Sequence, residues 1–212
     1  MLPRVMLPSD DDVRALHLRY APTSEVFDLV HTHCEIVSRI CRQLVGCADG
    51  VDKDLARAGA LLHDIGVYRL YGPDGRIAPG TYIRHGVVGY EILRAEGLPD
   101  RLARFCSHHT GVGLTRDDIV EHGLPIPVGD YVAETREERL VMYADKFHSK
   151  SSPPTFLSAD AYAADVARFG PEKEAAFAAL RAEFGEPDLD RLRACYRHGY
   201  RSEPAPGRAQ PR

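Results

Sequence analysis

The sequence predicts an all-α protein, a bundle of helices around one core. Apolar residues recur at helical i, i+3, i+4 spacing along most of the chain, and no segment shows a convincing strand alternation. Capping signals open several of these periodic segments. With 212 residues, of which 44% are hydrophobic, the chain is long enough to bury one sizeable core. We therefore expect one main domain with a smaller appendage.

Caps and chain breakers bound the helices of the first half. Ser9 and Asp12 form a capping box for a short first helix, and Pro22 breaks the chain behind it. Gly46 closes the long second helix, and the third helix, rich in Ala and Leu, ends at Gly66. The predicted helices of this half span about 9–19, 24–45, 52–64, 85–96 and 100–110.

The second half begins beyond a loop and follows the same logic. Pro-Asp-Gly and Pro-Gly turns within 67–84 predict a loop or lid that borders a cleft. Thr115 with Asp118, and Thr135 with Glu138, cap two further helices. The predicted helices here span about 115–123, 135–148, 158–169, 171–184 and 188–197.

Composition narrows the function classes. A formal charge of -4 without any Lys/Arg-rich run argues against a nucleic-acid polymer as partner. No run approaches the ~20 apolar residues of a membrane span, and the N-terminus lacks a signal-peptide core, so we expect a cytoplasmic chain without a membrane partner. The five cysteines form no CxxC pair and are interpreted as reduced thiols.

Histidines recur on apolar helix faces, where an unpaired polar group is costly. His33, His63, His85 and His109 each lie on the predicted inner face of a different helix. Asp64 follows His63, and Asp145 lies on an apolar stripe that carries no basic residue. Burying such a cluster without a cation costs free energy, whereas metal ions give each group a partner. The pattern therefore predicts a metal site.

Helical phase indicates which of the neighbouring residues His108 and His109 is the metal ligand. His108 shares its face with Arg101 and Arg104, so His109 is the preferred ligand and His108 the alternative. The remaining histidines do not lie on comparable stripes. We expect these to be surface residues: His17, His31, His122, His148 and His198.

The order His33, His63-Asp64, Asp145 resembles the H…HD…D signature of the HD-domain metal-dependent phosphohydrolases, and "HDIG" is similar to the HDIG subgroup. His85 and His109 look like the extra histidines of its dinuclear branch, which includes cyclic-di-nucleotide phosphodiesterases and a diadenosine tetraphosphate hydrolase. The GYP extension of the cyclic-di-nucleotide class is missing after His109. We also find no segment that resembles the partner catalytic domain of the large alarmone enzymes.

The resemblance implies an HD-domain helical bundle with additional C-terminal helices and two divalent metal ions, from among Fe, Mn, Zn, Co and Ni. Asp64 would bridge them, His33, His63 and Asp145 would complete one site, and His85 and His109 would complete the other. A metal-bound hydroxide would then attack a phosphoester. The substrate would be a nucleotide or another small phosphoester.

Three cations near these positions are candidates for clamping the phosphate. Lys146 follows Asp145, Arg84 precedes His85, and Arg69 lies just beyond the HDIG turn. Each is equally compatible with a solvated surface charge. Together with Asp64 they make up the predicted catalytic set.

Two other functions stay open at this point. The same ligands suit a di-iron oxygenase of the HD type, or a non-catalytic, metal-stabilised module that binds a nucleotide. In the non-catalytic case the helices after Ser158 would be the docking surface. Whatever the function, the C-terminal helices could equally cover the site or form a homodimer. The expected divisions are an N-terminal segment with a short helix (1–22), the HD metal-binding domain (23–150), a C-terminal helical extension (151–200) and a disordered tail (201–212).

Overall fold

The computed structural model describes residues 7–47 and 50–203, and it confirms the all-α prediction. Ten α-helices and three short strands lie in this part of the chain. The helices are α1 (Asp10–Tyr20), α2 (Ser24–Leu44), α3 (Lys53–Leu62), α4 (His85–Ala95), α5 (Asp100–Ser107), α6 (Arg116–Glu121), α7 (Arg136–Asp145), α8 (Ala159–Val166), α9 (Pro171–Phe184) and α10 (Asp190–Tyr196). The strands are β1 (His148–Ser149), β2 (Thr155–Leu157) and β3 (Gly199–Arg201).

The predicted capping signals are confirmed. The side chains of Ser9, Thr115 and Thr135 each accept a hydrogen bond from the backbone N–H three residues on, and the acidic residue there accepts one from the cap backbone N–H. Each reciprocal pair satisfies two amide groups that the helix itself leaves unpaired. The sequence therefore defines these helix starts locally.

The long helix α2 lies at the centre of the bundle and packs against α3 and α7, while α4 packs against α5. Val30, Val37 and Ile40 on α2 are fully buried. Burying each such side chain contributes roughly 1.5–3 kcal/mol. The same inner face of α2 carries His33, so the core that stabilises the fold also fixes this histidine in place.

Two glycines allow close contacts beside the His63-Asp64 pair. A Cβ at Gly66 would lie 2.0 Å from the carbonyl oxygen of His85, and a Cβ at Gly59 would lie 2.5 Å from the ring of Phe105. Only a residue without a side chain lets α4 and α5 approach this closely. This approach brings His85, at the start of α4, and His109, just after α5, toward Asp64.

Helix α5 ends earlier than predicted, at Ser107 instead of about residue 110. His108 leaves the helical conformation, and Gly111 and Gly113 follow with positive φ angles of 58° and 99°. His109 thus lies on the turn after the helix rather than on the helix. Two 3₁₀ turns, Ile65–Leu70 and Tyr82–Arg84, lie at the two ends of the loop predicted for 67–84.

The described residues also form a small three-stranded sheet that the sequence pattern does not predict. β1 pairs antiparallel with β2, and β2 pairs parallel with β3. Strands of two or three residues are too short to show an alternating pattern in the sequence. Residues 151–154, predicted as a boundary, connect β1 with β2, and the division into domains stays a prediction. Arg201, predicted to begin a disordered tail, lies in β3, whereas residues 204–212 lie outside the described part.

Two further observations concern the cysteines and the possibility of a membrane span. Cys34, Cys41 and Cys106 are buried free thiols and Cys195 is an exposed one, while the side chain of Cys47 lies outside the described residues. Within 7–47 and 50–203, no helix combines the length and the apolar character that crossing a membrane requires.

Candidate metal centre

Six predicted ligand side chains meet in the middle of the bundle. His33 comes from α2, the His63-Asp64 pair follows α3, His85 begins α4, His109 follows α5 and Asp145 ends α7. Their ligand atoms form two groups, each with all its atoms within 4.8 Å of one another. The first group holds His33, His63, Asp64 and Asp145, and the second holds Asp64, His85 and His109.

The carboxylate of Asp64 is shared between the two groups. Its Oδ2 lies 3.1 Å from Nε2 of His33 and 3.3 Å from Nε2 of His63. Its Oδ1 lies 3.6 Å from Nε2 of His85 and 3.6 Å from Nε2 of His109. This division is the one that the family resemblance implies for a bridging carboxylate, and the ligation itself stays a prediction.

Three of the four imidazoles are oriented by the backbone. Each has its Nδ1 within hydrogen-bond distance of a carbonyl oxygen, to which Nδ1 donates, so Nε2 is the ring nitrogen directed into the cluster. The three bonds run from His63 to Ala60 O (2.7 Å), from His85 to Tyr82 O (2.7 Å) and from His109 to Phe105 O (2.9 Å).

These Nε2 atoms face one another, which makes the cluster chemically suited to cations. Nε2 of His85 lies 3.1 Å from Nε2 of His109, and Nε2 of His33 lies 3.2 Å from Nε2 of His63. Two bare nitrogens at this distance repel unless a proton or a cation lies between them. Oδ1 of Asp64 is buried without a hydrogen-bond partner. Mixed imidazole and carboxylate donors are the set that divalent transition metals prefer, so the residues fit metal ions.

Burial sets the protonation states in the second group. It lowers the pKa of His85 to about 3 and also lowers the pKa of His109. Both imidazoles are therefore neutral near pH 7, which is the form that binds metal. Burial alone would raise the pKa of Asp64, but the Lys150 ammonium group and then His63 hold it well below its ordinary value, so the carboxylate is ionised.

Two lysines, the buried Lys146 and the half-buried Lys150, lie against the carboxylates. Lys146 Nζ donates to Oδ2 of Asp145 at 2.7 Å and to the carbonyl of His109 at 2.9 Å. Lys150 Nζ donates to Oδ2 of Asp64. The apolar stripe of Asp145 carries no basic residue, as the sequence predicts, but Lys146 and Lys150 reach the two carboxylates from outside that stripe. Lys150 was missed because it follows β1, outside any helix whose phase could show its direction; its only sequence signal is its place five residues after Asp145.

A cleft of about 490 Å³ opens beside the first ligand group. Asp145, Lys146 and Lys150 line its charged end, and Tyr71, Ile77 and Tyr82 belong to its wall. Since Tyr71, Ile77 and Tyr82 come from 67–84, that loop borders the cleft as the sequence predicts. The volume is within the ~300–1,000 Å³ typical of small-molecule sites.

The remaining predicted site residues lie elsewhere. Arg84 and Arg69 are exposed and do not line the cleft, and the guanidinium group of Arg69 lies over the ring of Tyr20. His108, predicted on the solvated side, is buried, with Nδ1 2.7 Å from Oγ of Ser107, and it belongs to neither ligand group.

Two histidines expected at the surface are buried, so that expectation is wrong for them. His17 bonds to Tyr68 Oη and to the Leu61 carbonyl, each at 2.8 Å, because the 3₁₀ turn after α3 covers α1. His148 points inward from β1, where a two-residue strand gives no readable face. His122 is exposed, as expected.

Comparison with solved structures finds the HD domain of the L. monocytogenes phosphodiesterase PgpH in complex with cyclic-di-AMP. It is 17% identical, with a TM-score of 0.49, and the alignment covers 87% of this chain and 96% of that chain.

Among curated proteins, an uncharacterized protein of Methanocaldococcus jannaschii is 40% identical over 117 residues, which are 53% of this chain and 62% of that protein. Two proteins named tRNA (cytidine(56)-2'-O)-methyltransferase are also similar. The one from Picrophilus torridus is 37% identical over 58% of this chain, and the one from Thermoplasma volcanium is 33% identical over 66% of it. The chain spans only 32% and 36% of the length of these two proteins.

The model of the HD domain matches residues 30–150. This stretch is more than half of the chain, and it contains all six clustered side chains. The chain therefore belongs to the HD-domain family.

Proposed function

We propose that this protein is a metal-dependent phosphohydrolase that acts on a nucleotide or another small phosphoester. The observation that carries the proposal is Asp64, whose two carboxylate oxygens face two separate groups of imidazole nitrogens beside a cleft with a cationic end. Family membership supports the same reaction class.

The six clustered residues would hold two divalent ions, which supply Lewis acidity to the phosphoryl group and to the attacking water. The residues of the cleft supply the rest. Lys146 and Lys150 place two ammonium groups at the end where the phosphate binds. Lys146 is buried and the side chain of Lys150 is 14% exposed, so water screens their charges less than at the surface.

The organic part of the substrate lies along the wall of the cleft. Tyr71 and Tyr82 present aromatic rings there, and Ile77 and Leu157 present apolar surface. Such a wall suits the base of a nucleotide or an aryl group better than a second charged group. We therefore favour an ester with one anionic and one flat or apolar end.

The names of two relatives suggest another activity, methyl transfer to tRNA. The two methyltransferases match this chain over about a third of their own length, so their activity includes long segments that the match does not reach. The imidazoles and carboxylates of the cluster suit metal ions. Their geometry suggests no role in methyl transfer. Phosphoester hydrolysis uses all six residues.

The test is a screen of the full chain with Mn, Co, Fe, Ni, Zn and Mg. The substrates are p-nitrophenyl phosphate, bis-p-nitrophenyl phosphate, nucleoside monophosphates and dinucleotides, and metal content is measured beside product release. We expect hydrolysis of at least one class by wild type and none by Asp64→Asn. Oxygen uptake by the iron form without phosphate release would establish the oxygenase instead, and equal activity of wild type and Asp64→Ala would favour a non-catalytic module.

A further inference from the structure

His33 differs from the other clustered imidazoles in the group that its Nδ1 contacts. The other three donate to backbone carbonyls, whereas Nδ1 of His33 lies 2.8 Å from Nδ1 of His148. The two rings are nearly parallel, at 28°, with their centroids 5.1 Å apart. Nε2 of His33 faces Oδ1 of Asp145 at 2.9 Å. A metal ion on Nε2 would place the proton of His33 on Nδ1, so that His33 would donate and His148 would accept.

The chain of imidazoles continues to a third ring. With Nδ1 of His148 accepting, its proton would be on Nε2, which lies 2.9 Å from Nδ1 of His198. These rings are also close to parallel, at 26° with centroids 5.1 Å apart. A single tautomer assignment thus satisfies both contacts, with every N–H directed away from the ligand cluster.

The small sheet holds the three rings in line. His148 lies in β1 and His198 immediately precedes β3, with β2 between the two strands. The ring of Phe156 on β2 packs 4.9 Å from His148 and 6.0 Å from His198. His198 lies beyond residues 30–150, the part that matches the HD domain. A segment outside the family match thus reaches the ligand cluster through two hydrogen bonds.

We propose that His148 and His198 are positioning residues for His33, so that the C-terminal segment contributes to the metal affinity of the first ligand group. The inference rests on the metal centre of the proposed function. A partner on the second ring nitrogen fixes the tautomer and the orientation of a ligating imidazole, and its loss typically lowers metal affinity 10–100-fold. For His33 this partner is a side chain, and substitution can remove it.

The test measures metal affinity of the full chain with Zn²⁺ or Co²⁺ alone, in competition with a chelator and without substrate. His148→Leu removes both hydrogen bonds, whereas His148→Gln keeps an acceptor for His33 and a donor for His198. We expect His148→Leu to weaken binding about 10–100-fold and His148→Gln to recover most of it. His198→Leu should weaken binding less, and His198→Asn should restore it.

The visible absorption of the Co²⁺ form gives a second measurement, since a reoriented His33 changes the ligand field. His122→Leu, an exposed histidine, is the matched control and should keep both affinity and spectrum. Wild-type affinity and spectrum in His148→Leu and His198→Leu would overturn the inference, as would a failure of His148→Gln to recover binding. If His148→Leu does not fold, the comparison of His198→Leu with His198→Asn tests the inference, because His198 is only half-buried. Metal binding that depends on His148 in a chain that hydrolyses no phosphoester would contradict the proposed function alone.

Discussion

The ammonium group of Lys150 donates to Oδ2 of Asp64, a carboxylate whose side chain is 1% exposed. Burial alone would lower the pKa of Lys150, but Asp64 raises it well above its ordinary value, so the lysine is charged. Asp64 also faces four imidazole nitrogens. One residue pair therefore links the cationic end of the cleft to the centre of the ligand cluster.

This pair makes Lys150 the first residue to test. Lys150→Met removes a half-buried positive charge from the place where negative charge develops on the phosphate. We expect kcat/KM for the best phosphoester to fall about 100-fold, the usual cost of losing one preorganised transition-state contact. Steady-state kinetics measures this at saturating metal.

Lys173→Met is the matched control for that measurement. Lys173 and Lys150 have side chains that are each 14% exposed and each paired with an aspartate, but Lys173 binds Asp118, which lies outside the ligand cluster. Lys173→Met should keep its kcat/KM within a few-fold of wild type. Equal losses in the two variants would show that the charge of Lys150 has no special role.

The shared carboxylate predicts unequal effects of two ligand substitutions on metal content. Asp64→Asn alters both ligand groups, whereas His85→Ala alters only the second. We expect Asp64→Asn to lose metal from both groups, with affinity down by more than about 100-fold, and His85→Ala to retain the metal of the first group. Elemental analysis after dialysis against a fixed free-metal concentration measures this. Asp117→Asn, an exposed carboxylate, is the control, and identical metal loss from His85→Ala and Asp64→Asn would refute the sharing.

Helical phase explains how much of this site the sequence predicts. His33 and His85 lie on helices, so their spacing from apolar neighbours is enough to give the direction of each side chain. Lys150 and His148 lie in or beside a two-residue strand, where no periodicity exists. His17 faces inward because α3 and the 3₁₀ turn behind it, both distant in sequence, cover it. Such long-range packing cannot be read from local spacing.

Gly66 of the HDIG turn predicts a stability effect with a specific consequence for metal binding. A Cβ there would lie 2.0 Å from the carbonyl of His85 and 2.4 Å from the backbone nitrogen of Gly89, so Gly66→Ala must push α4 away. We expect the free energy of unfolding to fall by about 3 kcal/mol or more, with loss of metal from the group that contains His85. Gly46→Ala, where a Cβ meets nothing within 4 Å, should change it by less than about 0.5 kcal/mol. Chemical denaturation of the two variants compares these values.

His17 predicts how stability depends on pH. Burial lowers its pKa in the folded protein to about 4 from 6.5, so between these values the unfolded chain binds the proton more readily than the folded one. The stability that depends on neutral His17 is complete above pH 6.5 and is lost as the pH falls to about 4, a change of about 3 kcal/mol at ~1.36 kcal/mol per unit. His17→Phe removes this titration. Its unfolding free energy should be lower than that of wild type at pH 7 because two hydrogen bonds are lost, but it should fall less steeply on acidification. Denaturation curves at pH 4 to 7 measure both slopes, with His122→Phe as the control that keeps the wild-type slope, and parallel slopes for wild type and His17→Phe would exclude His17 as the titrating group.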